Sequence, residues 1–251
     1  MQLTRSLAAV VLMAAPLLGA AQQLTVSAAA SLTGAFKEIG ARFEAGKSGV
    51  TVRVNFAASG VLLQQIAQGA PVDVFASADE ATVARGIEQK VLDAGSKREV
   101  ARNTVVLVVP AQGGPAVKTL ADLAETGVKR IAIGKTATVP VGRYAKEALD
   151  AAGLWSVLEP KFVFADTVRQ VLDYVARGEA DAGFVYRTDA MVGGDKVRIV
   201  LTAGGHTRAS YPVIAVSESR NKVLARDFIA YLSTPSALDV LARHGFGRPA
   251  P

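Results

Sequence analysis

Four segments of the chain join a short apolar run to a helical pattern through tiny residues and a hydroxyl or a proline. The first is Ala28-Ala29-Ala30-Ser31-Leu32-Thr33-Gly34-Ala35, after Leu24-Thr25-Val26 and ahead of Phe36, Ile39 and Phe43 at helical spacing. The second, Asn55-Phe56-Ala57-Ala58-Ser59-Gly60, precedes Leu62, Leu63 and Ile66. The third, Thr138-Val139-Pro140-Val141-Gly142, opens a helix through Tyr144 and Leu149, where proline fits because the first-turn N–H has no partner anyway. In the fourth, Ala165-Asp166-Thr167-Val168, the residues Val168, Val171, Leu172 and Val175 follow i, i+3, i+4, i+7. Helix starts leave backbone N–H groups unpaired and carry partial positive charge, so they attract anions. With only alanine in front of them, a small anion can touch the backbone and the Ser31 and Ser59 hydroxyls directly. Ser31 is the expected N-cap of the first helix, and Asp166 or Thr167 that of the fourth. A further hydroxyl comes from Tyr186, which ends the apolar run Ala182-Gly183-Phe184-Val185-Tyr186 before Arg187-Thr188-Asp189.

One such turn is ordinary capping, worth about 1 kcal/mol of stability. Four of them with a strand-terminal tyrosine point to a shared site, because strand C-termini in open α/β sheets face a common crevice. Two turns precede residue 100 and two follow it, which predicts two lobes with a cleft between them. Other chemistry finds little support. Gly46-Lys47-Ser48 resembles the end of a phosphate-binding loop, but Ala41 stands where its glycine is needed and the segment follows a helix. His206 and His244, the two histidines, lie outside every turn singled out, and there is no cysteine, so a transition-metal cation site is not expected. Asp73 and Asp79 have no nucleophile or base beside them and read as turn and cap residues. Arg143, Arg169 and Arg187 lie near the cleft, either as anion clamps or as solvated charges.

The positioning elements follow from the alternation of apolar runs with helical periodicity, an α/β pattern. Strands are expected at 24–26, 50–56, 72–76, 105–110, 130–133, 162–164, 182–186 and 213–216. Helices are expected near 32–44, 61–68, 81–89, 142–152, 167–177, 222–232 and 236–244. The 251 residues, 50% of them hydrophobic, suffice for one large domain or two small ones. Residues 1–21 read as an export signal: Arg5, an apolar core from Leu7 to Leu18, and Gly19-Ala20-Ala21. That core is too short to span a bilayer. Without a cysteine there is neither a disulfide nor an N-terminal lipid attachment, so the expectation is a soluble protein free in a bacterial periplasm. The net charge of +6 is scattered and aromatics are 6%, which argues against a nucleic-acid surface.

These segments, with Gly69-Ala70-Pro71-Val72-Asp73-Val74-Phe75-Ala76-Ser77-Ala78-Asp79 and Val139-Pro140-Val141-Gly142-Arg143-Tyr144-Ala145-Lys146-Glu147-Ala148-Leu149, resemble the periplasmic molybdate-binding proteins of ABC transporters. The likeness runs in order over essentially the whole mature chain. It implies a two-lobed type II periplasmic binding fold with the ligand in the interlobe cleft, lobe I being 22–101 plus 213–251 and lobe II 102–212. It also implies ligand contacts from Ser31 and Ser59 through hydroxyl and N–H, from Val141 and Val168 through N–H, and from the Tyr186 hydroxyl. Position 141 is often alanine in the family and position 60 often serine or threonine, so Val141 is expected to narrow the site and Gly60 to loosen the second helix start.

The resulting expectation is a monomeric receptor, not an enzyme and without a cofactor, that captures molybdate and tungstate and passes them to a membrane permease. Neutral donors and helix termini hold the dianion. A site of donors alone suits a deprotonated oxyanion better than a protonated phosphate, whose proton would go unpaired; sulfate differs only in size. A periplasmic enzyme would need a base beside Ser31 or Ser59. A ligand-sensing domain of a regulator would lack an export signal. Within binding proteins the alternative is a receptor for sulfate or another oxyanion.

Overall fold

Among the described residues, the apolar runs expected as strands fall in two five-stranded sheets, and the periodic stretches between them become covering helices. The computed structural model describes residues 22–249; the export signal read over 1–21 lies outside the described residues. Along the chain come β1 (Gln22–Ala29), α1 (Thr33–Ala45), β2 (Val50–Ala57), α2 (Ser59–Ala67), β3 (Val74–Ala76), α3 (Glu80–Glu88) and β4 (Arg98–Arg102). There follow β5 (Val105–Pro110), β6 (Ile131–Gly134), α4 (Pro140–Ala151), α5 (Trp155–Leu158), β7 (Phe162–Ala165), α6 (Val168–Ala176), β8 (Ala182–Tyr186), α7 (Arg187–Gly193) and β9 (Val197–Thr202). The chain closes with β10 (Ser210–Ala215), α8 (Lys222–Tyr231) and α9 (Pro235–Arg243).

The first sheet has the order β2-β1-β3-β10-β4 and the second β7-β6-β8-β5-β9. Each is built alike: three parallel strands, then an antiparallel one (β10 or β5), then an edge strand. Alternation along the strands sorts side chains to two sides. Phe75 and Ile214 point to a cluster with Leu62, Leu63 and Ile66 of α2 and Val83 of α3. Their neighbours Val74, Ala76, Val213 and Ala215 join the main core with Phe36, Ile39 and Phe43 of α1. There Phe228 of α8 packs edge-on against Phe36 and Phe43, with centroids 6.3 and 5.1 Å away, tying the end of the chain to its beginning.

The α/β class and most expected elements are present, with ends shifted by a residue or two. Three differences matter for the site. Ser31 does not cap α1. Ala30–Leu32 form a 3₁₀ turn, the helix starts at Thr33 with Leu32 ahead of it, and no side chain caps it. The hydroxyl of Ser31 is engaged elsewhere, with Tyr211. Next, β10 starts at Ser210, earlier than the expected 213, and so includes Tyr211 and Pro212. Proline lacks the N–H a ladder needs, and the strand accommodates it with a register shift between Tyr211 and Pro212. Finally, the edge strands β4 and β9 were not anticipated, because Arg98-Glu99-Val100-Ala101-Arg102 is mostly charged and Val197–Thr202 is half exposed.

The parallel strands of both sheets end at the same place, which depends on α4 lying close on β6. A Cβ on Gly142 would come within 2.0 Å of the Gly134 carbonyl oxygen. Gly142→Ala should therefore destabilise the protein by about 1–3 kcal/mol through overpacking. Urea unfolding measures this, and an unchanged midpoint would contradict the packing.

Candidate functional site

Register places the alanines. Ala29 of β1 stands opposite Ala57 of β2, and Ala28 opposite Ala76 of β3, so three parallel strands end level with one another. Just beyond them lie Ala30-Ser31, Ala58-Ser59 and Ser77-Ala78. From the second sheet, β6 leads to Val139-Pro140-Val141, β7 to Thr167-Val168, and β8 ends on Tyr186. These segments enclose a cavity of about 10 Å³ walled by Ala29, Ala30, Ala57, Ala58, Ala78, Val139 and Pro140, with Ser31, Ser59, Val141, Val168 and Tyr186 completing it. The space is small and lined mostly by alanine, valine and proline, with hydroxyl and backbone groups as its polar lining. Wider surface grooves, of about 450, 640 and 530 Å³ among them, are open and carry charged side chains of both signs, and none of them gathers the strand ends.

Most polar groups around the cavity are placed to donate. In α4 the first helical bonds run from the Gly142 and Arg143 N–H groups to the Val139 carbonyl, at 3.0 and 3.3 Å, leaving the Val141 N–H ahead of any helical acceptor. In α6 the Thr167 hydroxyl caps by accepting the Gln170 N–H at 3.1 Å, and the Val171 N–H closes on the Thr167 carbonyl at 3.2 Å; the Val168 N–H precedes both. In α2 the Leu62 N–H closes on Ala58 while the Gly60 N–H crosses the cleft to the Thr138 carbonyl at 2.9 Å. The Ser59 Oγ accepts the Ala78 N–H at 3.0 Å, which leaves its own proton to donate. Tyr186 and Tyr144 both donate to the Ala78 carbonyl, at 3.3 and 3.4 Å. Burial pushes both phenol pKa values up, so both remain protonated donors.

Residues 24–247 match the family described as bacterial extracellular solute-binding protein. The molybdate-binding protein ModA of Escherichia coli (strain K12) is 38% identical over 231 residues, covering 89% of this chain and 88% of that protein. The chain belongs to the ModA family. Among solved structures, the periplasmic molybdate-binding protein of Azotobacter vinelandii superposes with a TM-score of 0.76 at 24% identity, covering 90% of this chain and 100% of its own. The sulfate-binding protein SubI of Mycobacterium tuberculosis H37Rv reaches 0.80 at 18%, covering 92% and 88%. Both show the two-lobed binding-protein fold. As a solute-binding protein, this ModA-family chain holds a ligand and does not turn one over.

Full charges are kept out of the cavity of this ModA-family protein. Arg143 reaches across the cleft to Asp79, with Nε 2.9 Å from Oδ2, and Asp79 also caps α3 through the Thr82 N–H at 3.2 Å. Arg169 Nε lies 2.8 Å from the fully buried Asp189 Oδ1, and Arg187 is exposed. None of the three clamps the cavity: two are neutralised by buried carboxylates and the third faces solvent. Asp73 is a turn residue, accepting from the Thr25 N–H at 2.8 Å and the Ser219 hydroxyl at 2.7 Å. His206 and His244 are elsewhere, the latter on Glu38, and no metal-ligating cluster occurs among the described residues.

Sequence reasoning did not single out three residues at this site. Ala78 uses its N–H on Ser59 and its carbonyl on two tyrosines, work that no side chain advertises. Tyr211 and Asn103 stand behind Ser31; the proline after Tyr211 masked its strand, and Asn103 sits between two strands without a motif. Gly60 also has a role the sequence did not indicate: it lets the segment around Thr138 come close, since a Cβ there would lie 2.7 Å from Thr138 Cα and 2.8 Å from its carbonyl oxygen.

Two outcomes follow. Gly60→Ala should hold the lobes apart and weaken ligand binding at least about tenfold, since a missing bond to a charged ligand alone costs that much; calorimetry on a variant with unchanged melting checks it. Burial raises the Asp189 pKa from 3.8 to about 6, against the pull of Arg169 and the Tyr186 backbone. The folded state then binds this proton more tightly than the unfolded chain, so the group's stabilising contribution is full below about pH 4 and lost as pH rises through about 6. Asp189→Asn should show a smaller fall in urea midpoint over that range than the wild type, and equal falls would refute the titration.

Proposed function

We propose that this protein captures molybdate, and tungstate with it, in the periplasm and delivers it to the membrane permease of an ABC transporter. One observation carries the reading: a small cleft where six parallel strands end, lined by Ser31, Ser59, Val141, Val168 and Tyr186 with hydroxyl and backbone donors and no charged side chain. A dianion there receives hydrogen bonds from the Ser31 and Ser59 hydroxyls and from the Ser31, Ser59, Val141 and Val168 N–H groups. Helix starts add their partial positive charge. Tyr186 contributes its hydroxyl by leaving the Ala78 carbonyl, which Tyr144 continues to occupy. A lining in which donors outnumber acceptors favours an ion with no proton of its own.

The names of the relatives support molybdate as that ion, and the 38% identity to the Escherichia coli protein supports the same mode of capture. The lobes, expected as 22–101 with 213–251 and as 102–212, become about 22–102 with 210–249 and 103–209 once β4 and β10 are kept whole, with the Gly60–Thr138 and Arg143–Asp79 contacts joining them around the ion. A permease that binds the joined form would accept the loaded receptor. No described helix is long and apolar enough to cross a membrane, in keeping with a carrier that moves to its permease. We take the receptor to act as a monomer.

Parallel calorimetric titrations with molybdate, tungstate, sulfate and phosphate test the reading. Heat is expected with the first two and none with phosphate; heat with sulfate and none with molybdate would overturn it. Ser31→Ala and Ser59→Ala should each weaken molybdate binding at least about tenfold with the fold intact, because hydrogen bonds to charged groups are worth about 1.5–3 kcal/mol.

A further inference from the structure

Behind Ser31 runs a chain of hydrogen bonds whose direction is set at its far end. The Thr104 N–H donates to Asn103 Oδ1 at 2.9 Å, which fixes the amide so that its NH₂ faces the other way. That NH₂ donates to Thr188 Oγ1 at 2.9 Å and to the Tyr211 hydroxyl at 3.2 Å. Tyr211 is fully buried, so its own proton cannot go to water. Ser31 Oγ, 3.0 Å away, is the remaining partner of that hydroxyl among the described residues. A buried phenol proton needs an acceptor, and with Asn103 donating, the acceptor is Ser31. The serine oxygen thus receives a proton from behind, and its own O–H is turned toward the cavity.

We propose that Asn103 and Tyr211 are positioning residues that force Ser31 to act as a donor to the bound oxyanion and so help the site reject ions that carry a proton. The inference rests on the oxyanion reading above. Neither residue touches the ion. Asn103 lies between β4 and β5, where the chain passes from one sheet to the other, and Tyr211 lies on β10 just after it returns. The relay therefore ties the polarity of one donor to the segments joining the lobes. Each bond in such a chain strengthens the next, so Ser31 is a better donor with Tyr211 behind it than without.

Asn103→Asp reverses the relay. Its carboxylate accepts from Tyr211, the phenol oxygen then accepts from Ser31, and the serine presents lone pairs to the anion. Molybdate binding should weaken at least about tenfold. Tyr211→Phe, which only removes the relay, should weaken binding by less than Asn103→Asp does, and adding Asn103→Asp to it should cost no more than about a further threefold. An equal loss from Asn103→Asp in both backgrounds would mean simple charge repulsion and overturn the proposal, as would no loss in either. If Asn103→Asp does not fold, site-specific 3-fluorotyrosine at 211, a stronger donor of almost the same size, should tighten binding by up to about threefold. Unchanged or weaker binding would refute the relay. Wild-type protein that binds sulfate and not molybdate overturns the molybdate reading alone, and the same cycle is then read with sulfate; binding of no oxyanion overturns both.

Discussion

A doubly charged ion taken out of water has to recover its lost hydration from fixed dipoles, and the proposed function asks this fold to supply them without a countercharge. Dipoles act at contact distance only, so the backbone must come to the ion. That requires alanine at the ends of β1 and β2 and in the turn after β3, where any larger side chain would fill the cavity. It also requires helices that begin immediately after strands, so that unpaired N–H groups arrive at the same point from both sheets.

Electrostatics elsewhere conforms to this arrangement. Arginines that could have clamped the ion are matched one to one with buried carboxylates, Arg143 with Asp79 and Arg169 with Asp189. The pairs serve as joints instead. The first links the lobes and the second holds α6 to α7, while Arg169 also reaches back to the Ser31 carbonyl at 3.5 Å. Burial leaves Asp189 with a carboxyl pKa near 6, a sign that such pairing is expensive even beside a guanidinium. Neutral donors around the cavity avoid that expense.

Much of this was legible in the chain. Alanine runs before Ser31 and Ser59, proline before Val141 and the i, i+3, i+4, i+7 face from Val168 mark strand–turn–helix junctions through local chemistry alone, and the cavity does gather those segments with Tyr186. What the sequence hides is the work of groups with no signature. Ala78 acts through its backbone on both sides. Tyr211 belongs to a strand disguised by Pro212. Asp79 is readable as a helix cap, but its second partner lies 64 residues away on α4. Ser31 itself was misassigned as a cap, because a serine before a helix has the same local appearance whether its hydroxyl turns to the backbone or to a distant tyrosine.

The bond between the Gly60 N–H and the Thr138 carbonyl joins the lobes through main-chain atoms alone. A substitution at 138 therefore leaves that contact in place, since every residue type brings the same carbonyl. Position 60 has no such latitude: any Cβ would intrude on the opposing backbone. The constraint on this interlobe joint is thus written in the sequence as one missing side chain, and drift elsewhere along the rim leaves it untouched.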